Sequence, residues 1–231
     1  MVSHANAIID KMSGAEYPDL SFEFVYKLTN ESERGAVLIG TSKVEIYLER
    51  LIERVLPSKQ KKYKDRLFNY PGPLSSFSGK IELAYAFRII DEKLYKSLNK
   101  LREIRNLAAH SSDSFFLKKH REKLDIIYSF EVGFNIVVHE LAHENLIKWE
   151  KININDILVE KNLLDYKVET LWSEIILNPE INDSIGEQLI IWELAFGLTF
   201  LCLKIQVVID EYTFDYGSML TWNDILGRRN E

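Results

Sequence analysis

From Leu189 to Ile209 the chain reads LIIWELAFGLTFLCLKIQVVI, a run interrupted only by Glu193, Lys204 and Gln206. A segment this apolar belongs either in a bilayer or in the middle of a folded core. The charges inside it argue against a membrane span. Upstream, Ser184 and Glu187 have the spacing of a capping box, so a helix reaching about residue 210 is predicted, apolar on most sides. It should be the central post of the C-terminal half. Cys202 lies in this run as the lone cysteine; it excludes internal disulfides and is expected to pack rather than react. The N-terminal MVSHANAIIDKMSG has no apolar stretch of a secretory signal, and a cytoplasmic protein with no membrane partner is expected.

The rest of the chain is also helical in pattern. Only 10 Gly and 5 Pro occur in 231 residues, and 46% of the residues are hydrophobic. That composition favours long helices around an ample core. Val37, Val44, Leu48, Leu51 and Val55 recur at helical spacing over 33–56, with Asn30 to Ser32 as caps and Pro57 as the stop. A basic linker, SKQKKYKDRLFNYPGP, leads to Ser75 and Ser76 as caps for a helix over 77–89. Asp91 caps a helix over 92–109. Further helices are predicted near 114–130, 132–150, 155–163 and 166–177, and Pro179 breaks the chain. Segments 21–27 and 205–214 have some strand character, but the fold class is all-α. Residues 1–30 read as an N-terminal extension, 31–131 as a helical domain, and 132–231 as an acidic helical region packing on it.

The formal net charge of −6 conceals a partition. Residues 57–123 carry 16 Lys or Arg against 7 Asp or Glu, and the remainder carries 13 against 28. Two complementary faces docking on each other would explain this, and so would a local polyanion site on an acidic protein.

Two motifs carry candidate chemistry. His139, Glu140 and His143 in VVHELAHEN satisfy H-E-x-x-H, which on a helix puts both imidazoles on one face. Catalytic zinc needs a third protein ligand. The chain has Leu146 and Trp149 where a metzincin would continue with glycine and histidine, which leaves Glu160, Glu169 or Glu174 as distant candidates. The competing reading is an amphipathic helix exposing His139, Glu140, His143 and Glu144, and no metal or other cofactor is expected.

The second motif is Arg105-Asn106-x-x-x-His110 in LREIRNLAAHSS. The apolar stripe Leu94, Leu98, Leu101, Ala108 predicts Arg105 on a core face, where a strong base needs an anionic partner, a ligand or a subunit interface. Asn106 and His110 share a face, with Arg105 about 100° round the helix. One helix cannot bring all three to one atom, but two copies related by a dyad can. RNA cleavage by 2′-hydroxyl attack needs an acid/base group near neutrality, which imidazole suits. It also needs a fixed cation for the phosphoryl charge, which guanidinium suits. Asn106 would orient the imidazole or hold the phosphate. Lys61, Lys62, Arg102, Lys118 and Lys119 are the expected RNA-binding residues, since Lys and Arg supply most affinity for phosphate backbones.

ESERGAVLIGTSKVEIYLERLIERVL, followed by GPLSSFSGKIELAYAFRIIDEKLYKSLNKLREIRNLAAHS, resembles the bacterial mannitol operon repressor family over about residues 31–112. The pattern G-P-L-x-x-F-S-x-K-I-x-L-A-Y-A carries much of the likeness. That family is similar to the wider HEPN superfamily of four-helix domains that commonly dimerise. The resemblance implies a HEPN-like four-helix bundle core with additional C-terminal helices. It also implies a homodimer whose nuclease members use R-x(4–6)-H without metal, a pattern that falls on Arg105, Asn106 and His110. Three functions follow as expectations. The first is a dimeric, metal-independent endoribonuclease of toxin or defence type. The second is a non-catalytic transcriptional regulator acting through a protein partner, an antitoxin or a transcription factor. A zinc metallopeptidase using H-E-L-A-H is the third.

Overall fold

The computed structural model describes residues 17–56, 60–111, 114–161, 167–175 and 177–211. Among these residues the protein is all-α, with nine α-helices, three short 3-10 turns and no strand. We number the helices α1 (Phe22–Thr29), α2 (Glu33–Val55), α3 (Lys61–Phe68), α4 (Phe77–Ala86), α5 (Glu92–His110), α6 (Arg121–Ile127), α7 (Phe134–Glu160), α8 (Val168–Ile175) and α9 (Pro179–Glu211).

The helix starts follow from local chemistry. Ser32 accepts a hydrogen bond from the Gly35 amide at 3.1 Å, Ser76 from Gly79 at 3.1 Å, and Asp91 from Leu94 at 2.8 Å. Each satisfies an amide that the first helical turn leaves unpaired. Residues 21–27 lie in α1 and its N-cap, not in a strand, and α9 remains helical through 205–211, while 212–214 lie outside the described residues.

Several expected boundaries are corrected. The segment near 132–150 and the described part of the one near 155–163 form the single helix α7, which ends at Glu160, while 162–163 lie outside the described residues. Between them KININD has neither Gly nor Pro, and asparagines lower helix propensity without breaking a ladder. The segment near 114–130 is not one helix but a 3-10 turn (Leu117–His120), α6, and a second 3-10 turn (Tyr128–Phe130). The basic linker contains α3. Pro179 does not separate the chain from α9 but begins it, leaving Ser184 in the helix interior. A proline at the first helical position loses no hydrogen bond and has φ already set.

α9 is the post of the whole molecule. It packs most extensively on α2, then on α7 and α1, while α2 packs in turn on α5 and α4. One contiguous core runs from Leu20 to Ile205. Residues 183–210 are long and apolar enough to cross a membrane by composition, and most of that span is buried against the other helices. Cys202 is fully buried, and burial raises its thiol pKa.

Lys80, within the G-P-L-x-x-F-S-x-K-I pattern, is 5% exposed and reaches Glu45 and Glu49 on α2 at 2.8 Å each. Burial opposes its charge, but hydrogen bonds to the two carboxylates outweigh that and hold its pKa above the ordinary lysine value. It ties α4 to α2.

Candidate functional site

The buried face of α5 consists of Leu94, Ser97, Leu98, Leu101, Ile104 and Ala108. Arg105 is therefore not on the core stripe; it is exposed. From Leu101 the pattern continues by a step of three to Ile104 rather than four to Arg105. Both steps stay on one helical face, but isoleucine enters a core without a partner and arginine does not. The expected conflict between a strong base and the core is absent.

This places Arg105, Asn106, Leu107, Ala109 and His110 together on the exposed surface of the last turns of α5. Arg105 Nη1 donates to Asn106 Oδ1 at 3.2 Å. His110 makes no hydrogen bond or ion pair among the described residues. Leu107, 42% exposed, supplies an apolar contact in the same patch. Arg102 lies one turn before Asn106 and is half-buried, with its Nε buried and unpaired among the described residues. Within one chain these groups form a surface patch, not a converged centre.

The other basic residues divide between two places. α6 runs back along α5, with Ser97 Oγ donating to the Ile126 carbonyl at 3.0 Å and Lys123 pairing with Glu103 at 2.8 Å. The turn before α6, carrying exposed Lys118 and Lys119, thus lies towards the end of α5 that bears His110. Lys119 Nζ stands 5.2 Å from the Phe116 ring centroid, and His120 stacks on Phe115 at 5.5 Å. Burial first, then Lys123 and Lys119, hold the His120 imidazole below its ordinary pKa.

Lys61 and Lys62 are elsewhere. Their neighbour Lys64 binds Glu53, near the end of α2, whereas the Leu117 amide donates to Glu33 at its start. Twenty residues of helix separate the two carboxylates, about 30 Å. The expected RNA-binding residues therefore do not make one patch.

The H-E-L-A-H helix brings out a centre that the sequence reading missed. His139, Glu140, His143 and Glu144 are all exposed on α7, but His139 turns inward. Its Nδ1 lies 2.6 Å from Oε1 of Glu193, the carboxylate interrupting the apolar run of α9. Arg121 on α6 binds the same group, with Nη1 on Oε2 and Nη2 3.3 Å from Oε1. The Arg121 Nε also pairs with Asp125 at 3.2 Å. The Glu193 side chain is 1% exposed, so the network is a buried anion closed over by two cation-capable groups from separate helices. The sequence carries the signal for it: a lone carboxylate in an apolar run demands a partner.

Tyr128 completes this region. Its hydroxyl is buried and unpaired among the described residues, and burial first, then the charge on Glu193, push its pKa well above the ordinary value. Its ring lies against Gly197, one turn beyond Glu193, where a Cβ would stand 2.3 Å from the ring. Gly197→Ala is expected to destabilise the fold by about 1–3 kcal/mol through overpacking, measurable by urea unfolding. An unchanged midpoint would mean that the ring moves freely.

A zinc site gains little from this geometry. The His139 and His143 rings are 6.4 Å apart. Glu160, on the same helix 17 residues beyond His143, is about 25 Å away. Among the described residues no three His, Cys, Asp or Glu side chains are grouped to hold a metal ion. No protein-family model, curated protein or solved structure matches the chain.

Proposed function

We propose that the protein is a HEPN-like helical domain, related to the mannitol operon repressors over about residues 31–112, that dimerises through the outer face of α5 and cleaves RNA without a metal ion. The observation that carries this reading is the placement of Arg105, Asn106 and His110. A guanidinium, an amide and an imidazole stand together on an exposed helix end, and none of them bonds to another element among the described residues. Leu107 beside them gives the patch an apolar contact for a second copy. Lys118 and Lys119 extend the positive surface towards a phosphate backbone.

In the dimer each protomer supplies one His110 and one Arg105 to a shared cleft. One imidazole removes the proton from the 2′-hydroxyl, whose oxygen attacks the adjacent phosphorus. The other protonates the departing 5′-oxygen, leaving a cyclic phosphate and a free 5′-hydroxyl. The two guanidinium groups neutralise charge on the phosphoryl oxygens, as fixed donors do best when already in place. Light scattering should give about twice the 27.0 kDa chain mass at micromolar concentration. RNA cleavage should be insensitive to EDTA. A stable monomer would remove the composite site.

The second reading is a non-catalytic regulator that uses the same face as a seam and acts through a protein partner. The Arg105–Asn106 hydrogen bond and the exposed Leu107 favour it, since both suit a closed interface. It predicts a dimer with no cleavage under any condition.

A further inference from the structure

At the end of the bundle away from His110, the exposed side of α3 and the turn after it enclose an open groove of about 810 Å³. Lys61, Lys62, Arg66, Tyr70 and Pro71 line it, together with one carboxylate, Asp65. All three cations are exposed, and none makes an ion pair among the described residues. Lys62 and Arg66 are four apart on one helix, where like charges repel. The first turn of α3 also has no acidic residue to match the helix dipole. Asp65 is the one acidic side chain among them, so the groove carries an excess of two positive charges.

The aromatic lining is unusual in a different way. Tyr70 is 91% exposed. It is nevertheless carried on a closely built turn. The Gly72 amide donates to the Asn69 carbonyl at 2.6 Å, the Leu74 amide to Leu67 at 2.9 Å, and Ser75 Oγ to Gly72 at 2.8 Å. A Cβ on Gly72 would come within 2.3 to 2.7 Å of three backbone carbonyls, so the close approach needs glycine. Leu74, just beyond, is buried and anchors the turn to the core. A closely bonded turn thus holds a bare aromatic ring in the same groove as three cations that make no ion pair among the described residues.

We propose that this groove binds single-stranded RNA, with one base stacked on Tyr70 and the flanking phosphates held by Lys61, Lys62 and Arg66. The inference rests on the RNA-binding part of the reading above, and not on cleavage. Cations match the phosphates, and an aromatic face matches an unstacked base, which a duplex does not offer. Because the groove is about 30 Å from the other end of α2, it would anchor a strand away from the His110 cleft.

The test uses the full chain carrying His110→Ala, so that RNA is not consumed, and a fluorescein-labelled ten-nucleotide oligouridine followed by anisotropy. Tyr70→Ala should weaken binding about 5- to 150-fold, and Tyr70→Phe should retain it. Replacing Lys61, Lys62 and Arg66 together by Ala should lower the slope of log affinity against log salt by about 2. Circular dichroism melting should be unchanged in each variant, since these side chains lie outside the core. RNA binding that none of these substitutions alters overturns the groove while leaving RNA recognition elsewhere intact. A duplex weakened by Tyr70→Ala as much as the single strand overturns the stacking. Competition by polyglutamate as strong as by unlabelled RNA overturns it too, since a peptide has no base to stack. If the groove variants behave as expected but the unsubstituted chain never cleaves RNA, the groove stands and the nuclease reading fails.

Discussion

His110→Ala is expected to reduce RNA cleavage about 100- to 10,000-fold, the range typical for a positioned acid/base group. Dimer mass and thermal midpoint should not change. The structure makes that separation testable: His110 is exposed at the end of α5, makes no hydrogen bond among the described residues and belongs to no core cluster. Surface substitutions of this kind rarely move stability by more than about 0.5 kcal/mol. Arg105→Ala should show a comparable loss. Arg105→Lys should recover only part of it, because an ammonium keeps the charge without the planar fork that grips two phosphoryl oxygens. The regulator reading predicts the opposite pattern, with no cleavage by the unsubstituted protein and a looser dimer in both alanine variants. A dimer that weakens in step with every loss of cleavage would favour the seam over the active site.

The parts of this fold that were legible in the sequence are those decided within a few residues. Ser32, Ser76 and Asp91 cap helices because a short oxygen-bearing side chain next to an apolar-periodic run has one strongly favoured use. Boundaries decided by continuity were harder. Nothing local stops α7 between Lys151 and Asp156, and Pro179 can open a helix as readily as end one.

The candidate residues show the same division. Arg105, Asn106 and His110 could be found from spacing alone, but their exposure could not. Leu101 can be followed on its face by residue 104 or 105, and only tertiary packing chose Ile104. Arg121 was invisible because its partner lies 72 residues away. Glu193 announced the need for a cation, yet sequence distance gave no means of naming it. The turn that presents Tyr70 looked like linker because its glycine and prolines read as a break, when they form a closely bonded support.

The largest effect on stability is expected at that buried anion. Arg121→Met removes the guanidinium and leaves Glu193, 1% exposed, with His139 Nδ1 as its remaining partner among the described residues. Stranding one member of a buried ion pair costs about 3–5 kcal/mol. Arg121 is 43% exposed, so solvent already carries part of its charge, and a smaller value, about 2–3 kcal/mol, is expected. In urea that corresponds to a midpoint lower by about 1 M. Glu193→Leu in the Arg121→Met background should recover most of the loss, because an apolar side chain of similar volume needs no partner at that depth. The non-additivity is the decisive number, since it isolates the pair from the general cost of altering α9. If the double variant is as unstable as the sum of the two single ones, Glu193 is held by something other than Arg121. Cleavage measured well below the melting temperature should be nearly the same in all three proteins. The network holds α6 and α7 onto α9, while the proposed chemistry sits on the outer face of α5, so stability and activity should fail separately.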